Sequence, residues 1–250
     1  MEVTKTMRIG VVAYPIPPEV EESQRVEWLI DRASELGLTC LPLPGRALAS
    51  AGADYLKHLK ELGESRNIEF ESGPWTEPEQ TAELVENGRR WAEALKAMGG
   101  EILMAVPGGR RESPPYTRAE FQVMADAMNE TGRQAQAVGI VAAMHPHWGT
   151  VAETQEEIEL LLNLLDPSVV GFAPDSGQIA KGGADPVPLF RDYADRIRHV
   201  HLKDLSPEWG EMQGAGVPLR SRPATRSWER AWWIFPPSLR SSRGSTSQAG

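Results

Sequence analysis

Short apolar runs of β type recur along the chain, and between them apolar residues return every three or four positions. The runs are Arg8–Tyr14, Leu38–Leu41, Asn67–Glu71, Glu101–Val106, Gly139–Met144, Ser168–Phe172 and Arg198–Leu202. Their starts lie 30, 29, 34, 38, 29 and 30 residues apart. A strand, a helix and their turns take about thirty residues, so the spacing predicts one βα unit per period.

The intervening stretches carry helical spacing. Val26, Leu29, Ile30 and Ala33 fall at i, i+3, i+4 and i+7, with Gly37 as the stop. Leu84, Trp91, Leu95 and Met98 keep one face apolar ahead of Gly99-Gly100. Thr154-Gln-Glu-Glu157 reads as a capping box opening a helix that ends at Leu165, before Pro167.

Strands alternating with helices imply a parallel α/β sheet, since parallel neighbours need a crossover. Units of this size fit a TIM (β/α)8-type barrel, which takes about 250 residues. No Gly-x-Gly-x-x-Gly follows the first run, so a dinucleotide-binding fold loses its main support. The eighth unit should begin near residue 225, and none is visible there. The expectation is a barrel domain over 1–218 with seven βα units, its eighth missing or replaced, followed by a distinct segment over 219–250.

Composition supports that division. The chain has 250 residues, 40% hydrophobic and 24% charged, as in a globular protein. No apolar run approaches the roughly 18 residues of a membrane helix, and Met1 to Arg8 does not read as a secretory signal. The single cysteine, Cys40, excludes an intrachain disulfide and a cysteine-rich zinc site, and fits a reducing cytoplasm. A net charge of −9 argues against a nucleic-acid partner. Leu219 to Gly250 nevertheless holds six arginines, one acid and seven serines, so it is +5 and the rest of the chain −14.

Four of the five histidines form two His-x-His pairs, His145-Pro-His147 and His199-Val-His201, each closing an apolar run. Residues i and i+2 of a strand share a face, so each pair aims two imidazoles at one space. The sixth run leads into Pro174-Asp175-Ser-Gly-Gln178. In a parallel barrel these strand ends open on one face, where imidazoles and a carboxylate suit Mn²⁺, Co²⁺ or Zn²⁺. A strand histidine is otherwise most often a hydrogen-bonded core residue. His199 also reads as a layer residue below the site, and His58, among lysines, as a solvated one.

Lys203 reads either as an electrophile or base, or as the partner of its neighbour Asp204. Arg110-Arg111 could hold an anionic substrate or line a solvated loop. Trp75 and Trp148 could wall a sugar ring or pack in the core.

His145-Pro-His-Trp-Gly-Thr150, Asp175-Ser-Gly-Gln178, Gly183-Ala-Asp-Pro186 and His199-Val-His-Leu-Lys-Asp204 together resemble the sugar phosphate isomerase/epimerase superfamily of xylose-isomerase-like TIM barrels. Within it the chain is most similar to myo-inosose (2-keto-myo-inositol) dehydratases, over roughly residues 7 to 213. The resemblance implies a divalent metal, Mn²⁺ or Co²⁺ first and Zn²⁺ or Mg²⁺ next. Its ligands would be Asp175, His201 and His145, the last where relatives carry glutamate. It implies a small sugar or polyol substrate near Trp148, Gln178 and Arg110, with His147 and Lys203 as available catalytic groups. Gln178 stands where many relatives have histidine. Leu41-Pro42-Leu43 stands where relatives end strand two in a substrate-binding glutamate.

A further glutamate ligand would belong to strand eight. Relatives carry a Gly-Val-Val-Asp-Phe-Pro-like segment there, and this chain has Arg230-Ala-Trp-Trp-Ile-Phe-Pro236. A reading frame starting on the third codon base gives Val from Trp232-Trp233 and Asp from Trp233-Ile234. We therefore expect a frameshift between about Val217 and Ser227, which sequencing of the gene would test, and a chain that is inactive if the ligand is lost. The expected chemistry is isomerisation, epimerisation or dehydration by proton abstraction next to a carbonyl. The alternatives are a non-catalytic sugar- or polyol-binding barrel and an apurinic-site endonuclease-like metalloenzyme. An incomplete barrel leaves edges, so cover by the Trp228, Trp232, Trp233, Ile234, Phe235 cluster or association into a homo-oligomer is also expected.

Overall fold

A computed structural model describes residues 8–10, 16–43, 51–73, 81–110 and 115–205. Val11 to Tyr14 of the first run, Trp75, Arg111 and everything from residue 206 onward lie outside them, including the expected tail and its tryptophan cluster.

Five strands form one sheet: β1 (Cys40–Pro42), β2 (Glu69–Ser72), β3 (Ile102–Ala105), β4 (Val141–Met144) and β5 (Val170–Phe172). They fall within or against the second to sixth apolar runs. Helices α1 (Arg25–Glu35), α2 (Ala53–Arg66), α3 (Thr81–Met98), α4 (Arg118–Ala137) and α5 (Gln155–Leu164) alternate with them, and the short α6 (Ser176–Lys181) and α7 (Pro186–Asp192) follow β5. Spatial order equals chain order and every pairing is parallel. That is the sheet of a βα barrel wound in one direction.

Among the described residues, the two outer runs join this sheet through isolated parallel bridges. Gly10 bridges Cys40 at one edge, and Ile197 bridges Phe172 and His201 bridges Asp175 at the other. Backbone bonds from Arg198 N to the Phe172 carbonyl (2.9 Å) and from His201 N to the Pro174 carbonyl (2.9 Å) hold the last run in register.

The strand period of two divides the core. Leu41, Phe70, Leu103, Ala142, Met144, Val170 and Phe172 face the helices and pack with Ile30, Leu59, Leu95, Met128, Ile158 and Leu161. Phe70 lies so close to α2 that a Cβ on Gly63 would sit 2.6 Å from its ring. On the opposite face Met104, Ala143 and Ala173, with Ile102 beside them, form a small separate cluster. The two alanines among them leave room above for polar groups.

The helix signals read from the sequence hold. α1 buries Leu29, Ile30 and Ala33, and Gly37 adopts φ +72° just beyond it. Thr154 Oγ1 accepts from Glu157 N while Glu157 Oε2 accepts from Thr154 N (2.9 Å), completing the capping box of α5. None of the described helices is long and apolar enough to cross a membrane.

Candidate metal centre

The centre lies where β2, β4, β5 and the seventh run end. His145 directly follows β4, and its N–H donates to the Ala105 carbonyl (3.0 Å), continuing the parallel ladder. Asp175 lies three residues beyond β5, fully buried. It caps α6, where Oδ1 accepts from Gln178 N (2.9 Å), so its carboxylate is fixed by the helix it starts.

The Asp175-Ser-Gly-Gln178 motif also docks the seventh run. Ser176 N donates to the His201 carbonyl (3.0 Å), and Ser176 Oγ donates to the Lys203 carbonyl (2.6 Å) and accepts from Lys203 N (2.9 Å). Gly177 supplies clearance, since a Cβ there would fall 2.6 Å from Lys203 Cβ. Asp175, Ser176 and Gly177 thus each have a separate mechanical reason.

His145, Asp175 and His201 bring one ligand atom apiece within 4.8 Å of one another. The His145 and His201 rings meet edge to face, with centroids 4.8 Å apart, and His201 Nδ1 lies 3.5 Å from Asp175 Oδ2. All three side chains are buried. The three residues assigned as ligands from the sequence therefore do converge.

Two features fit a cation here. His145 Nδ1 faces the Ala173 carbonyl at 2.9 Å, and a carbonyl can only accept, so Nδ1 carries the proton and Nε2 the lone pair. His201 Nδ1 is buried with no aligned hydrogen-bond partner. Lys203 meanwhile places its ammonium 2.6 Å from Asp175 Oδ2, meeting the carboxylate with positive charge. Its partner is Asp175 rather than the adjacent Asp204, which corrects the sequence reading. Asp204 Oδ1 instead accepts from Leu205 N (2.8 Å), so that carboxylate is held to its own backbone.

Electrostatics follow from burial and these pairs. Burial works against ionisation of Asp175, but His201 and Lys203 outweigh it and hold the carboxyl well below the usual range. Burial, reinforced by His201, pushes His145 down to about 3. Burial also opposes charge on His201, but the carboxylates of Asp175 and Glu71 raise its pKa overall.

Glu71, at the lumen side of β2, was missed in the sequence. It is 2% exposed, with Oε1 3.3 Å from His201 Nε2 and Oε2 2.6 Å from His199 Nε2. Burial raises its pKa, yet the two rings bring it down to about 2. Its signal was the alternation Ile68-Glu69-Phe70-Glu71, which sends Phe70 to the helices and Glu71 inward. Leu43, in the expected glutamate position, is buried apolar side chain, and the carboxylate comes one strand later. His199 lies below His201 against Glu71, as a layer residue should.

Residues 30–224 match the xylose isomerase-like TIM barrel family. The chain belongs to that family. It is similar to an inosose dehydratase of Bacillus anthracis, 29% identical over 211 residues that cover 73% of this chain and 70% of that protein. Among solved structures it resembles the 3-keto-D-glucoside 4-epimerase of E. coli, with TM-score 0.65, 14% identity and coverage of 94% and 98%. It also resembles a probable 3-DHS dehydratase of Bacillus anthracis, with TM-score 0.64, 16% identity and coverage of 84% and 78%. At those identities the structures speak for the barrel fold alone.

Of the remaining candidates, His147 lies beside the centre, its ring centroid 6.1 Å from that of His145. His147 is half-buried, its Nδ1 2.7 Å from the Trp148 carbonyl, and burial lowers its pKa. Trp148 has the Lys181 ammonium 5.3 Å from its ring centroid. Gln178 is buried, with Oε1 lacking a hydrogen-bond partner. Arg110 is engaged by Glu157 Oε2 (2.7 Å), the residue that completes the α5 capping box, so its guanidinium braces that helix start. His58 is exposed on α2, 3.7 Å from Glu27.

Proposed function

We propose that the chain is a divalent-metal-dependent isomerase, epimerase or dehydratase of a sugar or polyol ketone, nearest in kind to the inosose dehydratases. The convergence of His145, Asp175 and His201 at neighbouring strand ends carries this reading. Two imidazoles and a carboxylate suit Mn²⁺, Co²⁺ or Zn²⁺. When bound, such a cation supplies Lewis acidity toward carbonyl and hydroxyl oxygens.

The protein's own groups supply the proton chemistry. His147 Nδ1 donates to the Trp148 carbonyl, which puts the lone pair on Nε2, and the lowered pKa keeps that ring neutral near pH 7. His147 Nε2 is the base that takes the proton from carbon beside the carbonyl. Lys203, tethered to Asp175 and to Ser176, orients a substrate oxygen by its ammonium. Trp148 offers a ring face to the sugar carbons and Gln178 a polar contact. Returning the proton to a different carbon gives isomerisation, returning it to the opposite face of the same carbon gives epimerisation, and loss of hydroxide gives dehydration.

Incubation with Mn²⁺ and 2-keto-myo-inositol in D₂O tests this. Deuterium should enter the carbon beside the carbonyl, with enone absorbance growing if hydroxide departs. Metal binding without any exchange, across a panel of keto sugars and polyols, would overturn the catalytic reading and leave a sugar-binding barrel.

A further inference from the structure

Below the centre, Glu71, His199 and His201 form a second group of three that bring one ligand atom each within 4.8 Å of one another. Glu71 Oε2 is buried and lacks an aligned hydrogen bond even though His199 Nε2 is 2.6 Å away. A buried carboxylate oxygen left so has unmet capacity to accept. We propose that Glu71, His199 and His201 are a second divalent-cation pocket, selective for zinc-type ions, that shares His201 with the centre above.

The spacing suits such an ion. Donors about 2.0–2.1 Å from a tetrahedral zinc stand roughly 3.3 Å apart. His201 Nε2 and Glu71 Oε1 are already 3.3 Å apart, and His199 Nε2 needs to withdraw slightly from Glu71 Oε2. The His199 side chain is 21% exposed, so it can make that move and ions can reach it. Two imidazole nitrogens and one carboxylate form a donor set that Zn²⁺ and Co²⁺ accept readily and Mg²⁺ does not.

His201 decides which pocket is filled. Its Nε2 faces Glu71 and its Nδ1 faces Asp175, and a neutral imidazole has one lone pair. The tautomer protonated on Nδ1 ligates below, and the one protonated on Nε2 ligates above. The two pockets therefore compete for one ring and hold one ion between them. This depends neither on the proposed reaction nor on Asp175.

Zinc titration of metal-free protein against a chromogenic chelator tests the pocket. Wild type should take one tight equivalent. Asp175→Asn should retain it, and Asp175→Asn with His199→Ala should bind about tenfold or more weakly. His145→Ala, alone and with His199→Ala, repeats the comparison should Asp175→Asn fail to fold. Loss of zinc in Asp175→Asn and His145→Ala alone, or no change on adding His199→Ala, overturns the lower pocket and leaves the upper one standing. Loss in His199→Ala alone with retention in Asp175→Asn supports the lower pocket and removes the upper. A wild type that binds no zinc overturns the lower pocket.

Discussion

Lys203 Nζ stands 2.6 Å from Asp175 Oδ2, and the carboxylate it meets is fully buried. The ammonium, together with His201, offsets that buried charge. Lys203→Met should destabilise the metal-free protein by about 1–3 kcal/mol, less than for a fully buried pair because Lys203 is partly solvated. Saturating Mn²⁺ should recover more melting temperature in the variant than in wild type, since a cation then meets Asp175 instead. Equal metal-induced shifts in both proteins would contradict this.

Gly177→Ala forces its Cβ toward Lys203 Cβ, where 2.6 Å is available. We expect a loss of about 1–3 kcal/mol in urea unfolding as the Asp175 and His201 segments part. Metal affinity should fall with it. Unchanged stability would mean that the clearance is not needed.

Cys40 provides an internal reporter. Burial, reinforced by the Glu71 charge, pushes its thiol up to about 12 from 9.0. The folded protein should therefore react very slowly with a disulfide reagent at mildly alkaline pH, and rapidly once urea unfolds it. Glu71→Gln should speed the native reaction. Prompt native labelling of Cys40 would refute the burial of this site.

Acid should weaken the metal-free fold in a defined window. His145 is held at about 3 against an ordinary 6.5, and Glu71 at about 2 against 4.5. In acid both bind fewer protons folded than unfolded, so stability present near neutrality is lost as pH falls. The His145 share goes between pH 6.5 and 3, and the Glu71 share between 4.5 and 2. His201, whose pKa is raised, contributes oppositely: its share is present below 6.5 and lost as pH rises through its folded value. Melting temperatures in chelator should drop steadily below pH 6.5, and a flat profile would show that these rings are not buried as described.

The repeat of βα units was legible because parallel strands buried on both faces read as plain apolar runs. The histidine pairs were legible because period two makes i and i+2 neighbours. Glu71 was not, since a glutamate in a strand run suggests a solvated edge until the sheet is seen to curve around it. Nor was the Lys203–Asp175 pair, which spans 28 residues and arises from a single bridge between β5's extension and the seventh run. Sequence proximity favoured Asp204, but that carboxylate turns to its own backbone at Leu205 N, while Asp175 lies across the bridge to His201. The first run's outer half, the seventh run's continuation and the tail beyond residue 205 lie outside the described residues.

Ser176 clasps the main chain of Lys203 from both sides, accepting from its N–H and donating to its carbonyl. The aspartate and the lysine are thereby mounted on one piece of scaffold although far apart in the chain. Any tilt of the edge segment carries the ammonium, the neighbouring imidazole and the carboxylate together, so their mutual alignment survives motions that would scramble a site assembled from independent loops.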